Sequence, residues 1–578
     1  MHSLHSKLSS FLILLTVCHH TSIAEPSKPS EKPNVLLIIC DDLNDFITGL
    51  GGHPQAQTPH LERFAESAVT FRHAYSNNPV CAPSRASLFT GIYSQTSVNL
   101  FWDKWYNNTI LKNSKTMMEF FRENGYHVVG SGKNEHEHRR EDWHEYAHKT
   151  DYGPYWFDGA ARTANPWVPE PINSIGCIDG SFGPLRMDHD GQPQGAGWKL
   201  HWGKEALLNF TEGSKRDRTP DEINADWASQ RLQEFARASR NDPQPFFLSV
   251  GFVRPHTPLH APQKYFDRFP MDSLELPPHL EDDAADTHLQ SVSTPSDKGY
   301  KYFRMLQEAY PDPELGVKEF LQAYLACVAA VDDCIGQVLD TLEHSSLRDN
   351  TIVIITSDHG WDMGQKEYLF KNTLWEGSAR IPMYIRAPGN SATGATTLQP
   401  VSLIDLYPTL VDLCGLQGDT RKNDLGVTLD GHSLRPLLQD PSNGKWDGPE
   451  GALTMRFAGP QTKNDIHKQH WSYRTERYRY IRYNNGKEEL YDHQQDPYEF
   501  KNLASFSKYK DIKAQHRNAI EAMLKAPELK SKSENEPAVK DASYWKNLHF
   551  KNHPEADLNG DDTLTWKEFR THKAANPN

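Results

Sequence analysis

Three shortages narrow the reading of this sequence. The 578 residues carry a formal net charge of −14, with acidic and basic side chains mixed along most of the chain. That balance excludes a dedicated nucleic-acid binder, which needs a basic face to neutralise phosphates. It also means that an anionic substrate must be drawn in by a local basic pocket against the global field. Long apolar runs are missing: the stretch from Phe11 to Cys18 is too short to cross a bilayer, so no transmembrane span is expected. Cysteine is sparse as well, with seven residues and no C-x-x-C pair. The sequence thus carries no cysteine-pair pattern of a zinc or dithiol centre. Cys327 and Cys334 lie seven apart on one helical stretch, two turns from each other and out of disulfide reach, so no disulfide framework is expected.

What is present describes an exported α/β protein. Lys7, the apolar Phe11–Cys18 run and Ser22-Ile23-Ala24 have the order of a signal peptide, residues 1–24. Lipidation at Cys18 is the less favoured alternative, because Val17 is bulkier than a lipobox prefers. A hydrophobic content of 37% can supply a packed core. Asn34 to Cys40 and Thr351 to Thr356 are continuous apolar runs of buried-strand type. His127 to Gly130, Phe246 to Phe252 and Pro382 to Arg386 are further strand candidates. Thr58-Pro59 has the form of an N-cap followed by proline at the first helical position. Helical periodicity runs through Glu319 to Leu342 and Leu403 to Cys414. The fold class expected is α/β, a large mostly parallel sheet sandwiched by helices. Trp471 to Tyr483, the Asn484-Asn-Gly486 turn and Glu488 to Tyr491 predict a smaller C-terminal antiparallel sheet beside it.

Two apolar strands end in acidic residues, Asp41-Asp42 and Asp358-His359. A parallel sheet brings such ends to one carboxyl edge, where open α/β sheets bind ligands. Oxygen donors of this kind suit Ca²⁺ or Mg²⁺; taken singly, each Asp could equally cap the helix or turn that follows.

Cys81-Ala-Pro-Ser-Arg85 then continues to Leu88, Thr90 and Gly91, spelling C-x-P-S-R-x-x-L-x-T-G. This resembles the signature of the type I sulfatases of the alkaline phosphatase superfamily. The resemblance implies that Cys81 is oxidised to formylglycine by a formylglycine-generating or anaerobic maturing enzyme. It implies a metal held by Asp41, Asp42, Cys81, Asp358 and His359. A hydrated aldehyde suits sulfate-ester cleavage: one geminal oxygen attacks sulfur, and the other loses its proton to expel sulfate as the carbonyl reforms. Asp358-His359-Gly360, Gly132-Lys133-x-x-His136 and Arg254-Pro255-His256-x-Pro258 are similar to the iduronate-2-sulfatase-like branch, as is the segment around Lys371. From the resemblance, Arg85 and Lys133 hold the formylglycine hydrate, and Lys371 and His256 contact the sulfate oxygens. His136 assists deprotonation with His138 as its rival, and the proton for the leaving alcohol comes from His256 or Lys371.

Two features lie outside that pattern. Arg139 to Trp202 is rich in aromatics, including Trp143, Trp156, Trp167, Trp198 and Trp202. These either form a substrate rim, since aromatic faces stack on sugar rings, or pack an irregular loop. Asp557, Asn559, Asp561, Thr563, Thr565 and Glu568 have EF-hand spacing for a second Ca²⁺, with Asp562 at the usual glycine position. The expected order is a signal peptide (1–24), a catalytic domain (25–440), a C-terminal subdomain (441–524), a linker (525–550) and an EF-hand-like tail (551–578). The expected function is an exported sulfatase, periplasmic or secreted, acting on a sulfated polysaccharide or oligosaccharide. The alternatives are a phosphonate monoester or phosphodiester hydrolase on the same fold, or a non-catalytic sulfated-glycan-binding protein.

Overall fold

The computed structural model describes residues 32–524 apart from 189, 202–205, 212, 214, 240–243 and 295, together with 555, 565, 571 and 572. The signal-peptide segment, Trp202, and the EF-hand positions Asp557, Asn559, Asp561, Thr563 and Glu568 lie outside the described residues. Two compact units divide the chain, Met1–Ala526 and Pro527–Asn578. No helix among the described residues is long and apolar enough to cross a membrane.

The first unit is built on an eight-stranded sheet. In chain order its strands are β1 (Asn34–Asp41), β2 (Val69–Phe71), β3 (His127–Gly132), β4 (Glu145–Tyr146), β5 (Phe246–Pro255), β6 (Thr351–Ser357), β7 (Met383–Arg386) and β8 (Ala395–Thr397). Their spatial order is β8-β2-β7-β6-β1-β5-β3-β4. The centre is parallel, with β1 between β5 and β6, while β7 runs antiparallel to both β6 and β2. The sheet is therefore mixed. The apolar runs identify the buried centre, but β2, β4 and β8 have three residues or fewer, too few for a pattern to register.

Strand β1 explains why both faces must be covered. Its successive side chains point to opposite sides. Leu36, Ile38 and Cys40 join one core with helices α4 (Pro220–Ala238) and α5 (Pro313–Glu343). Val35, Leu37 and Ile39 join another with α3 (Met117–Glu123) and α6 (Leu406–Leu413). Helix α5 begins six residues before the periodicity suggests, because Asp312 accepts from the Glu314 amide and Pro313 occupies the first turn. Thr58 precedes helix α1 (Pro59–Ala65), but its side chain makes no cap bond. Asp332 of α5 caps it instead, accepting from the amides of His60 and Leu61 at 3.0 and 2.9 Å. That cap comes from 271 residues away, so local sequence could not reveal it. Cys40, Cys81, Cys177, Cys327, Cys334 and Cys414 are free thiols, as expected.

A four-stranded antiparallel sheet follows: β9 (Ala452–Arg456), β10 (His470–Arg474), β11 (Tyr478–Arg482) and β12 (Glu488–Asp492). Helix α7 (Lys510–Met523) covers it. Arg479 on β11 is fully buried and donates to the Leu374 carbonyl, to Glu376 and to Glu499. Trp375 donates to Glu489 on β12 at 2.9 Å. These bonds fasten the segment after Lys371 to the smaller sheet.

Candidate active site

The register of the central strands assembles the site. Cys40 pairs with Ser357 and Asp41 with Pro255, so the ends of β1, β5 and β6 coincide. Asp41 and Asp42 leave β1, and Asp358 and His359 leave β6, all four without solvent exposure. Asp42 takes a left-handed backbone conformation, φ 63°. Tyr324 of α5 holds this turn, donating to the Asp42 carbonyl at 2.7 Å.

Cys81 opens the ten-residue helix α2 (Cys81–Thr90), after Val80 in extended conformation. Pro83 lies in the first turn, where a backbone N–H would otherwise lack a helical partner. The helix N-terminus adds partial positive charge where an anion must sit. The Cys81 Sγ, which stands where an oxygen of the formylglycine hydrate would be, lies 3.2 Å from His359 Nε2 and 3.3 Å from Lys371 Nζ.

Arg85, one turn on, organises the acids. Its Nε donates to Asp358 at 2.8 Å, Nη1 to the carbonyls of Lys133 and Asn134, and Nη2 to the Cys40 carbonyl and Asp41. Lys133 reaches Asp41 through Nζ. Lys371 reaches both oxygens of Asp42 at 2.8 and 3.0 Å. Each buried carboxylate thus meets a cation, as burial of charge demands. Burial opposes ionisation of Asp41, yet Lys133, His256 and Arg85 hold its carboxyl well below the usual range. Lys133 and Lys371 are buried too, but Asp41 and Asp42 respectively keep both ammonium groups above theirs. Burial and the Asp41 charge push the Cys81 thiol up, so the unmodified residue is a poor thiolate.

Lys133 depends on a close backbone approach. Gly132 has φ 80°, and a Cβ there would fall 2.0 Å from the Gly251 carbonyl oxygen. A Cβ on Gly251 would fall 2.1 Å from the Lys133 carbonyl. Only glycine on both strands permits this turn.

His256 follows β5 and sits 3.8 Å from Asp42. Its Nδ1 faces the Thr257 carbonyl, so that nitrogen carries the proton and Nε2 is left toward the site. Tyr152, which the sequence does not single out, packs its ring 4.8 Å from both the His256 ring and Lys133 Nζ. Asp221 also escapes notice; it accepts from the amides of Val253 and Arg254 and fixes the approach to His256. Neither lies in a motif that could have marked it.

His136 is not brought to the Cys81 cluster by any hydrogen bond among the described residues. Its ring lies 4.9 Å from that of Trp102. Burial and the Lys133 charge hold its imidazole down to about 4. His138 is engaged elsewhere, with Glu135 at 3.2 Å and the Tyr146 ring at 4.0 Å. Of the two readings of the aromatic segment, loop packing holds for Trp143, Trp156 and Trp198, which are at most 2% exposed. Trp156 and Trp198 centre a small core with Leu185 and Phe210, because indoles that bury this much area are pulled inward.

Asp41, Cys81, Asp358 and His359 present donor atoms within 4.8 Å of one another, and Asp42, Cys81 and His256 form a second group sharing Cys81. Three buried carboxylates with one imidazole fit a divalent cation.

Residues 33–416 match the Sulfatase family, and residues 364–526 match the C-terminal region described as N-sulphoglucosamine sulphohydrolase. A sulfatase of Formosa agariphila is 30% identical over 521 residues, covering 87% of this chain and 90% of that protein. Iduronate 2-sulfatase of Mus musculus is 26% identical over 436 residues, covering 71% and 72%. Among solved structures, a phosphonate monoester hydrolase from Silicibacter pomeroyi superposes with a TM-score of 0.63 at 22% identity, over 85% of this chain and 95% of that one. The greater likeness to the Formosa protein supports the wider family and not the narrower iduronate-2-sulfatase-like branch. The chain belongs to the sulfatase family and is a sulfuric-ester hydrolase.

Proposed function

We propose that this enzyme removes sulfate from a sulfated polysaccharide or oligosaccharide, using residue 81 as formylglycine and a Ca²⁺ ion, with Mg²⁺ as the alternative. The observation that carries the reading is the position of Cys81: it opens a buried helix, within 3.3 Å of Lys371 and His359, at an edge where three buried aspartates converge. Asp41, Asp42, Asp358, His359 and residue 81 would hold the cation, which when bound acidifies a coordinated hydroxyl and offsets sulfate charge. The hydrated aldehyde supplies one oxygen for attack and a second for release.

The chain's own residues orient and transfer protons. Arg85 fixes Asp358 and Asp41 and, through two carbonyls, the Lys133 turn. Lys133, with Arg85, holds the formylglycine hydrate, and Lys371 and His256 contact the sulfate oxygens as charge builds on them. The proton for the leaving oxygen comes from Lys371, which Asp42 keeps protonated, or from His256, whose Nε2 must first take up a proton because its own sits on Nδ1. His136, three residues beyond Lys133, is the candidate proton acceptor, a weak base while burial and Lys133 hold it down to about 4.

The carbohydrate part of the reading is supported by the likeness to the mouse iduronate 2-sulfatase, whose name gives a sugar acid as its substrate. Maturation requires a formylglycine-generating or anaerobic maturing enzyme. The Asp557–Glu568 spacing supports a second Ca²⁺ in the tail, testable by calorimetry on the full chain and an E568A variant. Export to the periplasm or medium is supported by the leader pattern.

Two measurements test the main reading. Mass spectrometry of the Cys81 peptide from natively matured protein should find the aldehyde; thiol alone would remove the nucleophile. Turnover of an aryl sulfate should exceed that of an aryl phosphodiester; the reverse order would favour the phosphonate or phosphodiester alternative.

A further inference from the structure

Burial of Trp143, Trp156 and Trp198 leaves the question of what receives the rest of the substrate. One indole near the site is not buried: Trp102 is 47% exposed, the sole tryptophan among the exposed large apolar side chains of the described residues. Its position is fixed from two sides.

On one side, the Trp102 and His136 rings lie 4.9 Å apart, and His136 is three residues beyond Lys133, whose Nζ is on Asp41. Trp105 ties the same two loops together, donating to the Glu137 carbonyl at 3.2 Å. On the other side, Phe101 meets Trp102 edge-on at 5.4 Å and stacks on Phe457 at 4.9 Å. Phe457 follows Arg456, whose Nε donates to the Asn372 carbonyl at 2.8 Å, next to Lys371. Lys463 closes the arrangement with Asp103 at 2.7 Å. The loop bearing Trp102 is thus anchored to the segments that deliver Lys133 and Lys371, the two cations beside Cys81.

A half-exposed indole held by aromatic neighbours loses little freedom when a ligand covers it. Its flat apolar face suits the C–H face of a pyranose, and the polar edges around it suit sugar hydroxyls. We infer that Trp102 is a carbohydrate-stacking platform, a specificity-determining residue that seats the pyranose ring of a sulfated sugar beside the sulfate pocket. The inference rests on the carbohydrate-sulfate reading given above.

The test uses full-length enzyme with formylglycine content checked by mass spectrometry, as wild type, W102A and W102F. A panel of monosulfated pyranosides is assayed, with a straight-chain alkyl sulfate as the ring-free comparison for wild type and inorganic sulfate as inhibitor. For the pyranoside that wild type hydrolyses best, KM should rise about five- to tenfold in W102A while kcat stays within about twofold. W102F should recover most of the loss, because it restores an aromatic face. The inhibition constant of inorganic sulfate, which reads the sulfate pocket alone, should not move. An unchanged KM in W102A overturns the platform and leaves the carbohydrate reading standing, as does a rise matched by equal weakening of sulfate inhibition. Wild-type turnover of the alkyl sulfate with none of any pyranoside overturns the carbohydrate reading and the platform with it.

Discussion

Replacing Arg85 by lysine separates the charge of this residue from its shape. The guanidinium serves two carboxylates and three carbonyls at once: Asp358, Asp41, and the backbone of Cys40, Lys133 and Asn134. It is 1% exposed, so water cannot readily take over. A lysine keeps the positive charge but is a point donor without the planar fork. It can follow the carboxylates, and then the Lys133 and Asn134 carbonyls lose their partner, while the Cys40 carbonyl keeps the Asp358 amide and the Ser357 hydroxyl. Each stranded buried acceptor costs about 1–3 kcal/mol, so the two together destabilise by about 2–6 kcal/mol, a large part of the ~5–15 kcal/mol that usually holds a domain together. The same carbonyls fix the turn that delivers Lys133, and misplacement of a catalytic group by about 1 Å costs on the order of 100-fold in rate. The assay is calorimetric unfolding of wild type and R85K, followed by kcat/KM on an aryl sulfate. Arg85 also lies in the motif expected to direct maturation, so rates are divided by the formylglycine fraction found by mass spectrometry. An R85K enzyme that melts with wild type and retains its normalised kcat/KM would refute the account of Arg85 as the organiser of the acids.

Gly251→Ala should abolish activity with far less effect on the rest of the fold, because its Cβ would meet the Lys133 carbonyl at 2.1 Å; normal turnover would show that the Lys133 turn tolerates displacement. Chelation with EDTA should remove activity and lower the melting temperature, since three buried carboxylates lose the charge that a bound cation supplies, and Ca²⁺ should restore both; a melting temperature indifferent to chelator and Ca²⁺ would count against the metal site. The Glu488 carboxyl is depressed from 4.5 to about 2: burial raises it, but Tyr480, Lys513 and Arg517 outweigh that. Its folded pKa lies below its unfolded one, so its stabilisation is complete above about 4.5 and is lost as pH falls toward 2. Wild type should therefore melt above E488Q by a constant margin from neutrality to about pH 5, with the gap closing in more acid solution; a gap that widens on acidification would contradict the sign.

Much of the site was legible because its chemistry sits in contiguous residues. The Cys81–Gly91 motif is unbroken in the chain, and Asp41-Asp42 and Asp358-His359 each follow an apolar run whose burial could be expected from composition. Strand β1, with every residue buried, is of that kind. What stayed hidden are features made by partners far apart in sequence. The Asp332 cap on α1, the Tyr324 bond to the Asp42 carbonyl and the Tyr152 ring against Lys133 belong to this class. So does the fate of the tryptophans: an indole has the same composition whether it fills a core or faces solvent, and only packing sent Trp156 and Trp198 inward while leaving Trp102 exposed.

The sequence by itself therefore determined the reacting residue, the acids around it and the parallel character of the central strands, because local pattern and strand ends are enough to specify them. The tertiary structure decided which cation serves which carboxylate, where His136 and the aromatic side chains lie, and that β7 runs antiparallel. Those outcomes depend on strand register and on contacts across hundreds of residues, which no short stretch of the chain encodes.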